Sequence, residues 1–149
     1  MIFNSPEQRV LYENKKDFFL NKLSIISPAD RIFIAYHGDC DGISSAVFTI
    51  QYLNERNIKE VSYLSCAQFR ESEFLDIQKA SINSDYIIFL EGYGFSDEYS
   101  ELSKKSFNID HHPVSPRIEI FFNPREFSIN PNPANALATY TNSLAKLRK

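Results

Sequence analysis

Three short stretches of the sequence hold every histidine of the chain together with several acidic residues. The candidate ligands in these stretches are His37, Asp39, Asp41, Glu91, Asp110, His111 and His112. Imidazoles and carboxylates together form a mixed nitrogen and oxygen ligand set that suits Mn²⁺, Zn²⁺ or Fe²⁺ and, less well, Mg²⁺. Histidine is therefore concentrated at one candidate metal site, which forms only if the fold brings the three stretches together.

Each stretch follows or ends a short apolar or β-branched run of strand length. The predicted strands are residues 31–36, 60–66, 86–91, 106–110 and 118–122. The predicted helices are residues 6–24, 44–56, 69–80 and 96–105, with a last helix that begins at Pro133 and is capped by Asn132. In the second helix, the pattern of Ile43, Ala46, Val47, Ile50 and Leu53 predicts the buried face.

Strands that alternate with helices predict an α/β fold, a doubly wound, mostly parallel five-stranded sheet with helices on both faces. The carboxyl ends of parallel strands meet at one edge of such a sheet, where ligands commonly bind. The three stretches are expected to meet there. The chain of 149 residues is expected to form a single domain, with residues 1–28 as an N-terminal helical segment packed on it.

Each stretch also has an ordinary structural explanation. The stretch HGDCDG, residues 37–42, is compatible with a strand-to-helix turn in which Asp41 or Ser44 caps the helix. It is not a calcium loop, because the twelfth position counted from Asp39 is Ile50 and not glutamate. The DHH stretch alone is compatible with a solvated loop. If all three stretches had only such ordinary structural roles, three separate strand ends would have to carry metal-type ligands by chance.

Composition limits the classes of partner. The net charge of −3 and the pI near 5.6 exclude a whole-surface attraction to nucleic acid, so a polyanionic substrate would be held locally, by metal ions or a few basic side chains. The two cysteines, Cys40 and Cys66, show no metal-ligand spacing, and no apolar signal segment or membrane-length run is present. These features predict a cytoplasmic protein without a membrane partner.

The stretch YHGDCDGISSAVF resembles the first motif of the DHH phosphoesterase superfamily, and IDHHPVSP resembles the motif that names it. The resemblance is to the RecJ-like members, runs from about residue 31 to the last helix, and includes NPREFSINP, which is similar to archaeal RecJ-like proteins. It implies metal-dependent phosphodiester hydrolysis of single-stranded nucleic acid or short oligonucleotides, with two Mn²⁺ or Mg²⁺ ions. The implied metal ligands are His37, Asp39, Asp41, Glu91, Asp110 and His111. The implied catalytic residues are Asp110, His111 and His112.

Three further side chains are expected to bind substrate, namely Ser44 at the start of the second helix, Arg70 and Arg125. Tyr93 is compatible with stacking on a base, but packing against the loop after Glu91 is slightly favoured.

The chain also departs from the family pattern. Glu91 stands where the family has an aspartate, and neither a fourth-motif aspartate nor the C-terminal substrate-binding domain is found before Lys149. These departures indicate either a piece of a longer protein or a naturally reduced homologue, and the second implies an alternative function. The chain would then be a catalytically reduced RecJ-like scaffold, resembling the archaeal counterpart of the replication-fork component that joins GINS and MCM in the replicative helicase.

Overall fold

The computed structural model describes residues 5–92, 100–111 and 120–123. The strands are β1 (Ile32–His37), β2 (Val61–Cys66), β3 (Tyr86–Leu90), β4 (Ser106–Ile109) and β5 (Ile120–Phe122). The helices are α1 (Pro6–Leu23), α2 (Cys40–Glu55), α3 (Glu71–Ala80) and the single turn α4 (Ser100–Ser103). The predicted last helix lies outside the described residues. No helix in the described ranges is long and apolar enough to cross a membrane.

The five strands form one sheet in the order β2-β1-β3-β4-β5, and every neighbouring pair is parallel. Consecutive residues of β1 point to opposite faces, as the pleat requires. Ile32 and Ile34 belong to one buried layer, and Phe33 and Ala35 to the other. Helices α1 and α2 cover the first layer, and α3 and α4 cover the second. The predicted α/β fold, with a parallel five-stranded sheet and helices on both faces, is confirmed.

Aromatic contacts attach helix α1 to strands β4 and β5 of the sheet. Ser5 caps its first turn by accepting a hydrogen bond from the Gln8 N–H. The ring of Phe19 lies 6.2 Å from that of Phe107 and 6.1 Å from that of Phe122, and all three side chains are buried. These are ordinary separations for favourable aromatic pairs, so α1 is part of the core over β4 and β5.

The predicted face of the second helix is partly wrong. Ala46 and Leu53 are buried, but Ile43 and Val47 are 47% and 58% exposed. The residues that α2 buries are Gly42, Ser45, Ala46, Thr49 and Leu53. The helix begins at Cys40 instead of residue 44, and Gly42 packs so closely on β1 that an added Cβ atom would lie 2.0 Å from the His37 carbonyl oxygen. This contact sets the rotation of α2 about its axis. The spacing of apolar residues alone does not predict the contact.

Candidate metal centre

Strands β1, β3 and β4 are adjacent in the sheet and end at the same edge. His37 is the last residue of β1, Glu91 follows β3, and Asp110 and His111 follow β4. Glu91 and Asp110 are buried, and His111 is 8% exposed. The fold therefore places the ends of the three sequence stretches side by side.

The turn between β1 and α2 is held by its own acidic residue. Asp39 is the N-cap of α2, and its Oδ1 accepts a hydrogen bond of 2.9 Å from the Gly42 N–H. The cap is thus neither Asp41 nor Ser44. The Ser44 hydroxyl instead donates to the Cys40 carbonyl oxygen at 2.6 Å. The capping explanation and the ligand explanation are compatible, because the other oxygen of Asp39 lies close to His37.

Two groups of three side chains bring their ligand atoms within 4.8 Å of one another. The first group is His37, Asp39 and Glu91, and the second is Asp41, Glu91 and His111. In the first group, Nδ1 of His37 lies 2.9 Å from Oδ2 of Asp39 and 3.5 Å from Oε2 of Glu91. In the second, Nε2 of His111 lies 3.4 Å from Oε1 of Glu91. Glu91 is common to both groups and offers one oxygen to each imidazole.

Glu91 is the most unusual side chain of the cluster. It is completely buried, and neither carboxylate oxygen has a hydrogen-bond partner of normal geometry in the described part of the chain. Its φ of 62° places it in the left-handed region, which costs a non-glycine residue on the order of 1 kcal/mol or more. A buried carboxylate with so little compensation is unfavourable unless a cation is close. The donor set therefore fits a divalent metal ion.

The ionisation of the neighbouring groups reflects the same crowding of negative charge. Burial and the charge of Glu91 raise the pKa of Asp41 above its ordinary value. Interaction with the Glu91 carboxylate raises the pKa of His111, although burial acts in the opposite direction. Burial also opposes ionisation of Asp39, but the Gly42 N–H and His37 outweigh it, so the pKa of Asp39 is lowered. A proton or a metal ion is favoured between these groups.

Asp110 is placed at the same edge but belongs to neither group of three. Its Oδ1 accepts a 2.7 Å hydrogen bond from the N–H of His111, and its own N–H donates to the Phe122 carbonyl oxygen at 3.1 Å. These contacts fix the backbone that carries His111. The expectation that Asp110 binds metal directly remains a prediction.

One residue near the centre was missed by sequence reasoning. The side-chain amide of Asn108, buried in β4, donates to the Gly92 carbonyl oxygen at 3.2 Å. This hydrogen bond holds the chain directly after Glu91. The only signal in the sequence is a single amide inside the apolar run SFNI, which is too weak to identify a partner.

The expected substrate-binding residues are only partly described. Arg70 lies just before α3, on the loop after β2, and its exposed guanidinium donates to the Gln68 side chain at 2.9 Å. His112, Arg125 and Tyr93 lie outside the described residues. Their expected roles stay predictions.

No family model and no curated protein sequence matches this chain. Solved structures do. The chain is similar to RecJ in complex with Mn²⁺ from Thermus thermophilus, with a TM-score of 0.62 and 15% identity over 91% of this chain and 20% of that one. It is similar to the exonuclease RecJ bound to manganese, with a TM-score of 0.58 and 15% identity over 91% of this chain and 37% of that one. It is also similar to CDC45 from Entamoeba histolytica, with a TM-score of 0.56 and 12% identity over 100% of this chain and 31% of that one.

At these identities the similarity concerns the fold, which is RecJ-like. The chain spans between a fifth and slightly more than a third of the solved chains it matches.

Proposed function

We propose that this chain is a metal-dependent phosphodiesterase domain that acts on single-stranded nucleic acid or short oligonucleotides in the cytoplasm. The observation that supports it best is the position of Glu91, a buried carboxylate shared by two groups of ligand atoms. A protein without a metal function has no evident reason to keep this arrangement, since a buried charge without donors destabilises the fold.

Two divalent ions, Mn²⁺ or Mg²⁺, fit the two groups of side chains. One would be held by His37, Asp39 and Glu91, and the other by Asp41, Glu91 and His111. Bound ions of this type polarise phosphoryl oxygens and lower the pKa of bound water toward neutrality. The two solved RecJ structures with manganese support this choice of ion for the fold.

The chain's own residues have separate roles in this proposal. Asp39 both caps α2 and places Oδ2 beside His37, so the same residue fixes the helix and one ligand atom. His111 carries its Nε2 next to Glu91 and, together with His112 and Asp110, would stabilise charge on the phosphoryl group. Ser44, Arg70 and Arg125 would contact the nucleic acid backbone, which is consistent with local binding by an acidic protein.

A cleavage assay with end-labelled single-stranded DNA and RNA in Mn²⁺ tests the proposal. We expect Asp39→Asn and His111→Gln to reduce the rate at least about 100-fold, because each removes a ligand of a different group. Asp76→Asn is the matched control, since Asp76 is an exposed carboxylate on α3. Cleavage that persists at the wild-type rate in both ligand variants would refute the proposal.

A second candidate is favoured by exposed apolar side chains. Ile43 and Val47 lie one turn apart on α2 and are about half exposed, and Val10 and Leu11 on α1 are 58% and 57% exposed. The CDC45 structure shares the fold over the whole of this chain. In this alternative the chain is a catalytically reduced RecJ-like scaffold that binds replication proteins such as GINS and MCM.

Binding measurements separate the two candidates. For a scaffold, Ile43→Ser with Val47→Ser should abolish binding to purified GINS or MCM, while Asp110→Ala leaves it intact. Binding that depends on Asp110, or no binding by the wild-type chain, would count against the scaffold.

A further inference from the structure

The second ring nitrogen of His37 contacts the backbone of the loop after β2. Nε2 lies 2.7 Å from the carbonyl oxygen of Ala67. A carbonyl oxygen only accepts hydrogen bonds, so Nε2 carries the proton. Nδ1 is then the ring atom that faces Asp39 and Glu91, at 2.9 and 3.5 Å.

The pairing of β1 with β2 brings Ala67 to this place. His37 is in register with Cys66, and the pairing continues one residue further, because the Gly38 N–H donates to the Cys66 carbonyl oxygen at 2.8 Å. Ala67 is the next residue of the chain. The loop then turns sharply at Phe69, a buried residue with a φ of 51°. The loop conformation is therefore defined by tertiary contacts rather than by local preference.

Glu73 fixes the other side of the same loop. Its carboxylate accepts hydrogen bonds from the backbone N–H groups of Ala67, Gln68 and Arg70, the last two at 3.2 and 2.8 Å. Glu73 is the third residue of α3, and the bond that its carboxylate accepts from the Arg70 N–H is the usual contact from that position back to the N-cap backbone. Burial works against its ionisation, but these three donors outweigh it and lower the pKa of Glu73.

Ala67 thus lies between two side chains. Its N–H is held by Glu73 and its carbonyl group holds His37. We propose that Glu73 is a positioning residue that acts through Ala67 to hold the Nε2–H of His37 and thereby to aim Nδ1 at Asp39 and Glu91 as the ligand atom. The metal part of this inference rests on the proposed function, whereas the hydrogen bond from Nε2 does not. Such contacts to the far nitrogen of a ligand histidine orient the ring, and their loss typically lowers metal affinity about 10- to 100-fold.

Nitrogen NMR of the metal-free, ¹⁵N-labelled protein measures the protonation of each ring nitrogen of His37 directly, through long-range couplings from the ring protons to both nitrogens. We expect His37 in the wild-type chain to be protonated at Nε2. In Glu73→Ala the ring-nitrogen signals of His37 should shift as the hydrogen bond from Nε2 to Ala67 weakens, and the Mn²⁺ affinity from calorimetry should fall about 10-fold. Glu73→Gln keeps one acceptor oxygen and should restore most of both properties.

Glu71→Ala is the matched control, because Glu71 lies in the same first turn of α3. It should leave the His37 spectrum and the Mn²⁺ affinity unchanged. Wild-type His37 without a proton on Nε2, or a His37 spectrum unaffected by Glu73→Ala, would overturn the inference. Should Glu73→Ala fail to fold, a fully wild-type spectrum in the Ala67→Pro chain, which lacks the N–H that Glu73 binds, would overturn it equally.

The two proposals fail in different ways. A wild-type chain that binds no Mn²⁺ refutes the proposed function, but the His37 spectrum still decides the role of Glu73. A chain that binds Mn²⁺ with a His37 spectrum independent of Glu73 retains the proposed function and overturns this inference.

Discussion

Oε2 of Glu91 lies 3.5 Å from Nδ1 of His37, and because Nε2 of His37 bonds to a carbonyl oxygen, two acceptor atoms face each other at the ends of β1 and β3. Acceptors in such contact repel unless a proton or a metal ion lies between them. A metal ion bound between the two atoms would remove this repulsion.

Because α2 packs closely on β1, substitution of Gly42 by alanine is expected to destabilise the fold much more than the same substitution of Gly38. Gly42→Ala should lower the free energy of unfolding by about 3 kcal/mol or more, because its Cβ atom would lie 2.0 Å from a backbone oxygen that cannot move. Gly38→Ala should cost less than about 1 kcal/mol, since its nearest contact, at 2.9 Å, is the Ser65 hydroxyl on an exposed side chain. Urea denaturation of both variants measures the difference. Equal losses would contradict this account of the turn.

The raised pKa of His111 predicts how the stability of the metal-free chain depends on pH. A folded-state pKa above the unfolded value of about 6.5 stabilises the fold fully below that value, and this contribution is lost as pH rises through the folded-state pKa. The free energy of unfolding should therefore fall as the pH rises above about 6.5.

His111→Gln should remove this part of the decrease, while Asp76→Asn should keep it. Denaturation curves at several pH values with a chelator present measure the slope. An identical slope in wild type and His111→Gln would contradict the assignment. Protons and metal compete for the same nitrogen, so Mn²⁺ affinity should increase over the same pH range.

Substitution of Arg56 is expected to lower the stability of the fold and to leave the metal centre intact. Its guanidinium donates to the carbonyl oxygens of Leu23, Ser24 and Ile26 at 3.0 to 3.1 Å, which joins the end of α2 to the segment between α1 and β1. Arg56→Ala should lower the free energy of unfolding by about 2 kcal/mol, because three carbonyl groups lose a charged donor. The Mn²⁺ affinity of the folded variant should equal that of the wild-type chain. A loss of Mn²⁺ affinity would contradict this expectation and show that Arg56 is coupled to the metal centre.

The reactivity of the two cysteines tests whether Cys66 is buried as described. Cys40 is exposed at the start of α2, whereas Cys66 is buried and burial raises the pKa of its thiol to about 12. A thiol reagent at pH 8 should modify one cysteine rapidly and the second only as fast as the chain unfolds, because the thiolate is the reactive form. Cys40→Ser should abolish the rapid phase. Two rapid phases in the wild-type chain would contradict the described burial of Cys66.

The sequence predicted the order and type of the described strands and helices, because strand-length apolar runs and helical spacing are local properties. It also predicted that His37, Glu91 and His111 approach one another, since a parallel sheet collects strand ends at one edge. Both predictions depend on pattern alone.

Other features depend on contacts between residues far apart in the chain. The rotation of α2 follows from the contact of Gly42 with the His37 backbone, and the left-handed conformation of Glu91 follows from its position beside β4. The link from Glu73 through Ala67 to His37 joins α3 to β1 across β2. No periodicity or motif in the sequence encodes these contacts, so only the fold reveals them.

The central claim is that Glu91 makes this edge of the sheet a metal centre. Calorimetric titration of Mn²⁺ into the metal-stripped chain tests it, with Glu91→Gln beside Glu71→Gln as the control for loss of one carboxylate. We predict stoichiometric binding by wild type and control, affinity at least about 10-fold weaker in Glu91→Gln, and a metal-free Glu91→Gln no less stable than wild type. Absence of binding by the wild-type chain, or equal affinity in Glu91→Gln, would contradict the claim.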